Sequence, residues 1–338
     1  MLWLSQEDVL KTGIADMAVA QREIEQAFRL YQNGETKTAQ EIPLKLQEED
    51  SDEAFYSLPA YIGKPYDVAG IKWTTHHPRN KQQGLPHIYT VLTLSDPRTG
   101  LPLAMMEGSV ISAMRTGAVS STAFKYLADP QAESVLCCGA GVQARQQIIG
   151  ACYALPQLKR VYIWGRTSSR AEALKQELFH LFPNVCFQTV SSPSAGDVGE
   201  QCDIIIGATA SPNPYLRKED FKDGSLYCHI GFHEIEEEAI AAFDHIVVDD
   251  FESGVLYSGQ SLFRMNRAGR LDSSKLFGLL GELVTGQKSL RQQAGKKIMF
   301  DAFGLVIFDL ALGAYAYRCA KEQGLGIELP LWHTPIWK

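Results

Sequence analysis

The chain has 338 residues, 45% of them hydrophobic and 21% charged, with a formal net charge of −7 and an isoelectric point near 5.7. That length exceeds one small core and suggests about two domains of ordinary size, and the composition excludes wholesale disorder. The acidic balance argues against a polyanion-binding surface, since nucleic acid needs a dense positive footprint. No apolar run approaches the roughly 18 residues needed to span a bilayer.

Met1-Leu2-Trp3-Leu4 meets Asp8 and Lys11 too soon to read as a signal peptide. Cysteines at 137, 138, 152, 186, 202, 228 and 319 are odd in number and lack Cys-x-x-Cys or Cys/His ligand spacing. That usage predicts free thiols, buried as small hydrophobes, in a reducing, cytoplasmic compartment. From Gln6 to Tyr31 apolar residues recur at helical spacing (Val9, Ile14, Met17, Ala20, Ile24, Ala27, Phe28), as one helix or as two broken near Gly13, and Asn33-Gly34 caps the end. Ile42 to Leu46 comes next, followed by an acidic stretch from Glu48 to Glu53 that reads as a solvated loop tip.

Phe55 to Ile62, Val68 to Thr74 and Ile88 to Ser95 read as strands, and Asp96-Pro97-Arg98-Thr99-Gly100 turns the last into Pro102 to Glu107. A helix is predicted from about Ser109 to Leu127. From Glu133 strands and helices alternate: strand Ser134–Cys138, helix Gly141–Ala154, strand Arg160–Trp164 and helix Ser168–Leu181. Further strands are expected at Cys186–Thr189, Cys202–Ala208, Leu226–Ile230 and His245–Val248, with one long apolar helix from about Phe300 to Glu322. The fold class expected is α/β, a Rossmann-type doubly wound parallel sheet beside a mixed α+β domain.

Val135-Leu136-Cys137-Cys138-Gly139-Ala140-Gly141-Val142-Gln143-Ala144 is a Gly-x-Gly-x-x-Ala pattern after a strand and opening a helix. Gly139 permits the tight turn, Gly141 lets backbone approach a pyrophosphate, and the small Ala144 lets the helix pack on the strand. The bland reading is a glycine turn without ligand. At the end of the second strand, NAD-binding domains usually place an Asp or Glu for the ribose hydroxyls. This chain has Trp164-Gly165-Arg166-Thr167-Ser168-Ser169-Arg170, without a carboxylate. Two guanidiniums and three hydroxyls suit a 2′-phosphate, so NADP(H) is favoured and NAD(H) is the alternative. A solvated helix start with Ser168 as N-cap would look similar.

Further strings surround that loop: Gly70-Ile71-Lys72-Trp73, His77-Pro78-Arg79-Asn80, Met105-Met106-Glu107-Gly108 and Ile111-Ser112-Ala113-Met114-Arg115-Thr116-Gly117-Ala118. Gly281-Glu282-Leu283-Val284-Thr285-Gly286 and Phe300-Asp301-Ala302-Phe303-Gly304 with Asp309 complete the set. In that order they resemble the ornithine cyclodeaminase/mu-crystallin family over nearly the whole chain. The resemblance implies a homodimer in which residues 1–126 with 305–338 form the substrate-binding and dimerisation domain, and residues 127–304 a Rossmann domain for a nicotinamide nucleotide. It also implies a small amino- or imino-acid substrate handled through an imine, and no nucleic-acid or membrane partner. Members include ornithine cyclodeaminases, alanine dehydrogenases, ketimine reductases and dehydrogenases that release diaminopropionate, and fold alone does not choose among them.

Hydride transfer at a Cα–N bond needs a carboxylate anchor, a proton donor or acceptor near the nitrogen, and a dry site. The family arginine that matches Arg115 clamps the α-carboxylate; otherwise Arg115 is a surface salt-bridge residue. The lysine that matches Lys72 is catalytic, and a buried amine with a lowered pKa can exchange a proton at neutral pH. A strand-edge lysine is the other reading of Lys72. Lys45 falls where relatives carry a second basic residue on the carboxylate, and Asn80 matches an asparagine near the pocket or is a turn residue. His76 and His77 lack a third ligand at metal spacing, so no metal is expected. The cofactor set expected is Gly139, Gly141, Val142, Gln143, Ala144, Arg166, Thr167, Ser168 and Arg170, with Thr116 and Thr209.

The chain also departs from the cyclodeaminases. Their glutamate that engages the distal amine is replaced by Tyr56, which cannot neutralise an ammonium. At the aspartate that positions the attacking amine stands His233, with Glu234 one residue beyond; either is a candidate proton-handling group, and a capping or surface histidine is the other reading of His233. Phe55, Tyr56, Tyr61, Trp73 and Tyr89 either line a roomy pocket or fill core strands. These features favour an NADP-dependent oxidoreductase that interconverts an amino acid, or an N-substituted amino acid, and its imine. A cyclodeaminase-type ammonia lyase with recycled NAD and a non-catalytic NADPH-dependent small-ligand-binding protein are the alternatives.

Overall fold

The computed structural model describes residues 1–46, 53–194, 198–290 and 295–336 of the chain. Apart from Glu53, the acidic stretch expected to form a loop tip lies outside the described residues. The chain divides into two compact units, Met1–Arg115 with Leu305–Lys338, and Thr116–Gly304. The first boundary falls inside helix α3 (Ser109–Leu127).

In the first unit the early helical stretch is two helices, α1 (Gln6–Lys11) and α2 (Met17–Gln32), the second capped by the Asp16 side chain on Ala18 N–H. An eight-stranded mixed sheet holds β1 (Leu2–Leu4), β2 (Thr36–Thr38), β3 (Ile42–Lys45), β4 (Ala54–Ile62), β5 (Val68–His76), β6 (Thr90–Ser95) and β7 (Pro102–Glu107), together with the late strand Ile327–Glu328. The order is Ile327–Glu328, β1, β7, β6, β5, β4, β2, with β3 also paired to β4. Strand β1 was not expected; it pairs parallel to β7, and the other pairings in this sheet are antiparallel.

Alternation fixes the faces. Thr90, Leu92 and Leu94 of β6 are buried while Val91, Thr93 and Ser95 are partly exposed, the pattern of a strand packed on one side. The buried face is covered by the C-terminal helix Val306–Gln323, on which α2 packs in turn, with Phe28 and Phe308 ring centroids 4.6 Å apart. A Cβ at Gly70 would fall 2.5 Å from both the Leu310 side chain and the Thr93 carbonyl, so glycine is required for that close approach. On the opposite face Phe55 and Trp73 pack together at 5.5 Å, and Trp73, Ile42 and Leu44 are exposed.

The second unit is an eight-stranded, all-parallel sheet: β8 (Ser134–Cys138), β9 (Arg160–Trp164), β10 (Cys186–Thr189), β11 (Ile204–Gly207), β12 (Leu226–His229), β13 (His245–Val248), β14 (Leu276–Leu279) and β15 (Ile298–Asp301). Its order, β10-β9-β8-β11-β12-β15-β13-β14, reverses direction between β8 and β11. Such a switch point opens a crevice at the carboxyl ends of the strands, where ligands of doubly wound sheets bind. β8, β11, β12 and β15 are buried along their whole length, which is why they read as short continuous apolar runs.

The expected tail helix needs correction. Phe300 and Asp301 belong to β15, inserted between β12 and β13, and the helix begins only at Val306. Gly304, at φ +94°, turns the chain, and the Asp249 carboxylate accepts from Phe303 N–H and Gly304 N–H at 2.8 and 2.7 Å. The three-residue apolar run Ile298–Phe300 does not by itself separate strand from helix; the pairing with β12 and β13 does.

Candidate active site

Lys72 of β5 is buried at 6% exposure, and its Nζ donates to Asp309 Oδ2 on the C-terminal helix at 3.0 Å. Arg115 approaches the same carboxylate, Nε to Oδ2 3.4 Å, with its side chain 14% exposed. Two buried cations therefore share one buried anion. Arg115 Nε and Asp309 Oδ1 have no hydrogen-bond partner among the described residues. Burial pushes the Lys72 amine below the ordinary lysine range; Asp309 opposes this and the Arg115 charge adds to it. A buried, uncompensated positive charge is costly unless an anion completes it, so the cluster is complementary to a carboxylate.

The strand register decides which neighbours join this cluster. Directly opposed residues point to one face, and Lys72 faces Leu58 while Thr74 faces Tyr56, so Tyr56 shares the Lys72 face. Pro43 opposes Tyr56 and Lys45 opposes Ala54, which puts Lys45 on that face too. However, Ala54 and Leu58 are four residues apart, about 13 Å along the strand. Lys45 is exposed, and the structure does not bring it to the Lys72 carboxylate cluster.

Continuing the alternation of β3 one step brings Glu41 level with Leu58 and on the Lys72 face. Glu41 is half-buried although β3 is exposed throughout; burial raises its carboxyl above the usual range, and the nearby Lys72 charge partly offsets this. Asn80 lies in the 3-10 turn Pro78–Gln83 and gives its side-chain N–H to the Pro86 carbonyl at 2.9 Å, so it closes a loop. Phe55 and Trp73 lie on the face away from Lys72 and do not line its surroundings.

In the second unit the glycine-rich turn has the expected strand–turn–helix setting. Gly139 is at φ +141°, and a Cβ there would collide with the Ala208 carbonyl. Gly141 caps helix α4 (Val142–Ala154) without a side-chain bond, Val142 is exposed, and Ala144 is fully buried beneath the turn. The first turn of α4 thus offers bare N–H groups and partial positive charge, the arrangement that receives a phosphate. Gln143 Oε1 is buried without a partner among the described residues. Thr116 is buried, its carbonyl accepting from Gln147 at 3.3 Å.

Arg166, Thr167, Ser168 and Arg170 are all exposed around the start of helix α5 (Ser168–Leu181), which Thr167 rather than Ser168 caps, with no side-chain bond. No carboxylate is paired with either guanidinium among the described residues. The loop, the bare helix start and these groups fit a dinucleotide.

Three titratable side chains are completely buried at the ends of β12 and β15. His229 Nδ1 lies 2.8 Å from Asp301 Oδ2, and His229 Nε2 lies 3.6 Å from Glu234 Oε2. Glu234 Oε1 accepts the Thr209 N–H at 2.5 Å and the Thr209 hydroxyl at 2.6 Å. Burial raises the Glu234 carboxyl, while burial's downward pull on His229 is outweighed by Asp301, leaving the imidazole raised. Glu234 is therefore enclosed, with no surface through which a substrate could reach it. His233 is half-buried, 3.1 Å from Arg264 Nη1; burial, then the Arg264 charge, hold it below the usual histidine value.

Sequence reasoning quoted Asp309 and Asp301 only as members of family-like strings and gave neither a role, although Asp309, a carboxylate within the apolar run Val306 to Leu312, has to find a cation when buried. It did not single out Glu41 or His229; register and strand order bring them in.

The model of the ornithine cyclodeaminase/mu-crystallin family matches residues 3–324. Alanine dehydrogenase of Archaeoglobus fulgidus is 28% identical over 335 residues, covering 97% of this chain and 98% of that one. Among solved structures, Delta(1)-pyrroline-2-carboxylate reductase of Thermococcus litoralis in complex with NADH and L-proline is 29% identical with a TM-score of 0.89, covering 97% of this chain and 100% of that one. An archaeal alanine dehydrogenase dimer with bound NAD is 26% identical with a TM-score of 0.88, covering 98% and 99%.

Proposed function

The chain belongs to the ornithine cyclodeaminase/mu-crystallin family, and from that premise we propose that it is an NADP-dependent oxidoreductase interconverting an amino acid, or an N-substituted amino acid, and its imine. The observation that carries this reading is the buried positive excess of Lys72 and Arg115 on Asp309. Arg115 holds the α-carboxylate of the substrate, its planar fork suited to two parallel bonds. Lys72, whose amine burial pushes below the ordinary lysine range, exchanges its proton at the substrate nitrogen or its water. Asp309 orients both cations. The turn at Gly139 and Gly141 and the start of α4 would hold the nicotinamide nucleotide, which would supply hydride chemistry for Cα.

Nucleotide choice rests on Arg166 and Arg170, exposed without acidic partners among the described residues, where an NAD-binding domain would place a carboxylate. The two solved relatives carry NADH and NAD, so NADPH preference would be a property of this chain's own sequence. The chain works as a homodimer: the apolar sheet face bearing Phe55, Trp73, Ile42 and Leu44 is uncovered in the single chain, and the archaeal relative is a dimer.

One observation favours a second reading, a cyclising ammonia lyase. Glu41 puts a carboxylate on the Lys72 face although Tyr56 replaces the expected one, and a carboxylate there can neutralise a distal ammonium. Titration of the protein with NADPH and NADH, followed by a screen of cyclic and linear imino acids for NADPH oxidation, tests the first reading. Ammonia release from ornithine without net change in the nucleotide would replace it by the second.

A further inference from the structure

Glu234 is placed where sequence reasoning expects a catalytic group, yet its carboxylate is sealed inside the nucleotide-binding unit. Gly207 and Gly231 make the space for it: a Cβ at Gly207 would sit 2.6 Å from Glu234 Oε2, and one at Gly231 would strike the same oxygen. The unit thus gives up two side chains to admit one charge. From that bed Oε1 takes both donors of Thr209. Behind it His229 and Asp301 form a buried row, each at 0% exposure.

What Glu234 holds leads to the glycine-rich turn. Ala208, adjoining Thr209, donates its N–H to the Cys138 carbonyl at 2.8 Å, and its own carbonyl lies over Gly139 at the distance that excludes any Cβ there. Tyr215 reaches the same carboxylate oxygen with its hydroxyl at 3.4 Å and packs on Trp164, the last residue of β9, at 4.8 Å. The Trp164 carbonyl in turn accepts the Gly139 N–H at 2.7 Å. One buried carboxylate is therefore joined to both sides of the turn.

We propose that Glu234 is a positioning residue for the nicotinamide nucleotide, acting through Thr209 and the Ala208 carbonyl to fix the Gly139 turn, with His229 and Asp301 holding it from behind. It touches neither substrate nor reacting atoms. The inference rests on the reading of the Gly139 turn as the nucleotide site.

A double-mutant cycle on the full chain tests it. Glu234→Gln, Thr209→Val and the double variant are compared for NADPH and NADH affinity by nicotinamide fluorescence, for kcat and both KM values, and for melting temperature. Glu234→Gln removes the charge behind both bonds and should weaken nucleotide binding by roughly ten- to a hundredfold, whereas Thr209→Val removes the hydroxyl donor but keeps the N–H and should weaken it by less. The double variant should be little worse than Glu234→Gln, because Thr209→Val acts through a bond that Glu234→Gln has already weakened. At saturating nucleotide kcat should stay within a few-fold, with KM for the amino or imino acid unchanged. Unchanged nucleotide affinity with collapsed kcat in Glu234→Gln would overturn the proposal in favour of direct catalysis, and additive losses would overturn the route through Thr209. If Glu234→Gln does not fold, Thr209→Val alone decides by the same split of affinity from kcat. A wild-type protein that binds neither nucleotide would refute the nucleotide reading itself, a result distinct from any of these.

Discussion

Asp309→Asn isolates the charge balance on which the active-site reading depends. In the wild-type protein one carboxylate, 1% exposed, stands 3.0 Å from Lys72 Nζ and 3.4 Å from Arg115 Nε. Removing one partner of a buried ion pair typically costs about 3–5 kcal/mol, since it strands the other charge. Here two cations are stranded, but Lys72 can shed its proton, and that limits the loss. The sign follows from linkage. The native Lys72 pKa is already below that of the unfolded chain, and Asp309 raises it, so the substitution lowers it further. Between the native value and about 10.5 the unfolded chain binds more protons, so stability rises with pH through that window. Denaturant unfolding from about pH 6 to 10 should therefore show the largest deficit of Asp309→Asn at the acid end and a shrinking deficit above it. The limb of the kcat/KM profile that reports Lys72 should move to lower pH. A deficit equal at every pH, with an unmoved profile, would refute the coupling of Lys72 to Asp309.

Lys72→Met should lower turnover by about two to four orders of magnitude while NADPH still binds, as measured by steady-state assay and fluorescence titration; retained activity would remove Lys72 from the mechanism. Arg166→Ala with Arg170→Ala should weaken NADPH by roughly ten- to a hundredfold and leave NADH affinity within a few-fold, so equal losses for both nucleotides would refute the 2′-phosphate site. Trp73→Glu places a charge on the uncovered sheet face and should yield monomers in analytical ultracentrifugation with unchanged circular dichroism. A dimer that persists would place the interface elsewhere.

The parallel sheet was legible because its central strands β8, β11 and β12 are buried along their whole length and therefore stand out as apolar runs between helices of clear period. Ser134–Cys138 and Arg160–Trp164 lie where the sequence placed them. β14 was missed because Leu276–Leu279 carries a glycine at φ +153° and reads as a turn. β15 was read as helix because its apolar run passes directly into that of the C-terminal helix. In the site, Lys72 and Arg115 were legible as cations among apolar neighbours. Within the candidate site the misreadings concern place: how far along a strand a residue pairs and how deeply it is buried are not recorded by sequence spacing. Thus Lys45 is on the correct face but about 13 Å too far along the strand to join Lys72. Glu234 likewise stands next to His233 in the sequence, yet it is buried beneath Thr209.

The two proposed chemistries differ in what Glu41 must do, and charge counting shows how. With Glu41 protonated, Lys72, Arg115 and Asp309 leave one positive charge, which the carboxylate of an imino acid cancels. With Glu41 ionised the cluster is already neutral, and a second carboxylate entering beside it would meet repulsion unless the ligand also carries a cation. Burial favours the protonated form and the Lys72 charge opposes it, and the charge of the arriving ligand acts on the same carboxyl. An imino acid with a neutral side chain adds negative charge and should draw a proton onto Glu41. A diamino acid supplies its own ammonium and should not. Calorimetric titration in two buffers of different ionisation enthalpy measures that proton directly. Uptake on binding a neutral-side-chain imino acid, abolished in Glu41→Gln, would support the reductase reading and show why Tyr56 suffices where the cyclodeaminases keep a glutamate. Uptake that persists in Glu41→Gln would place the titrating group elsewhere and remove Glu41 from substrate selection.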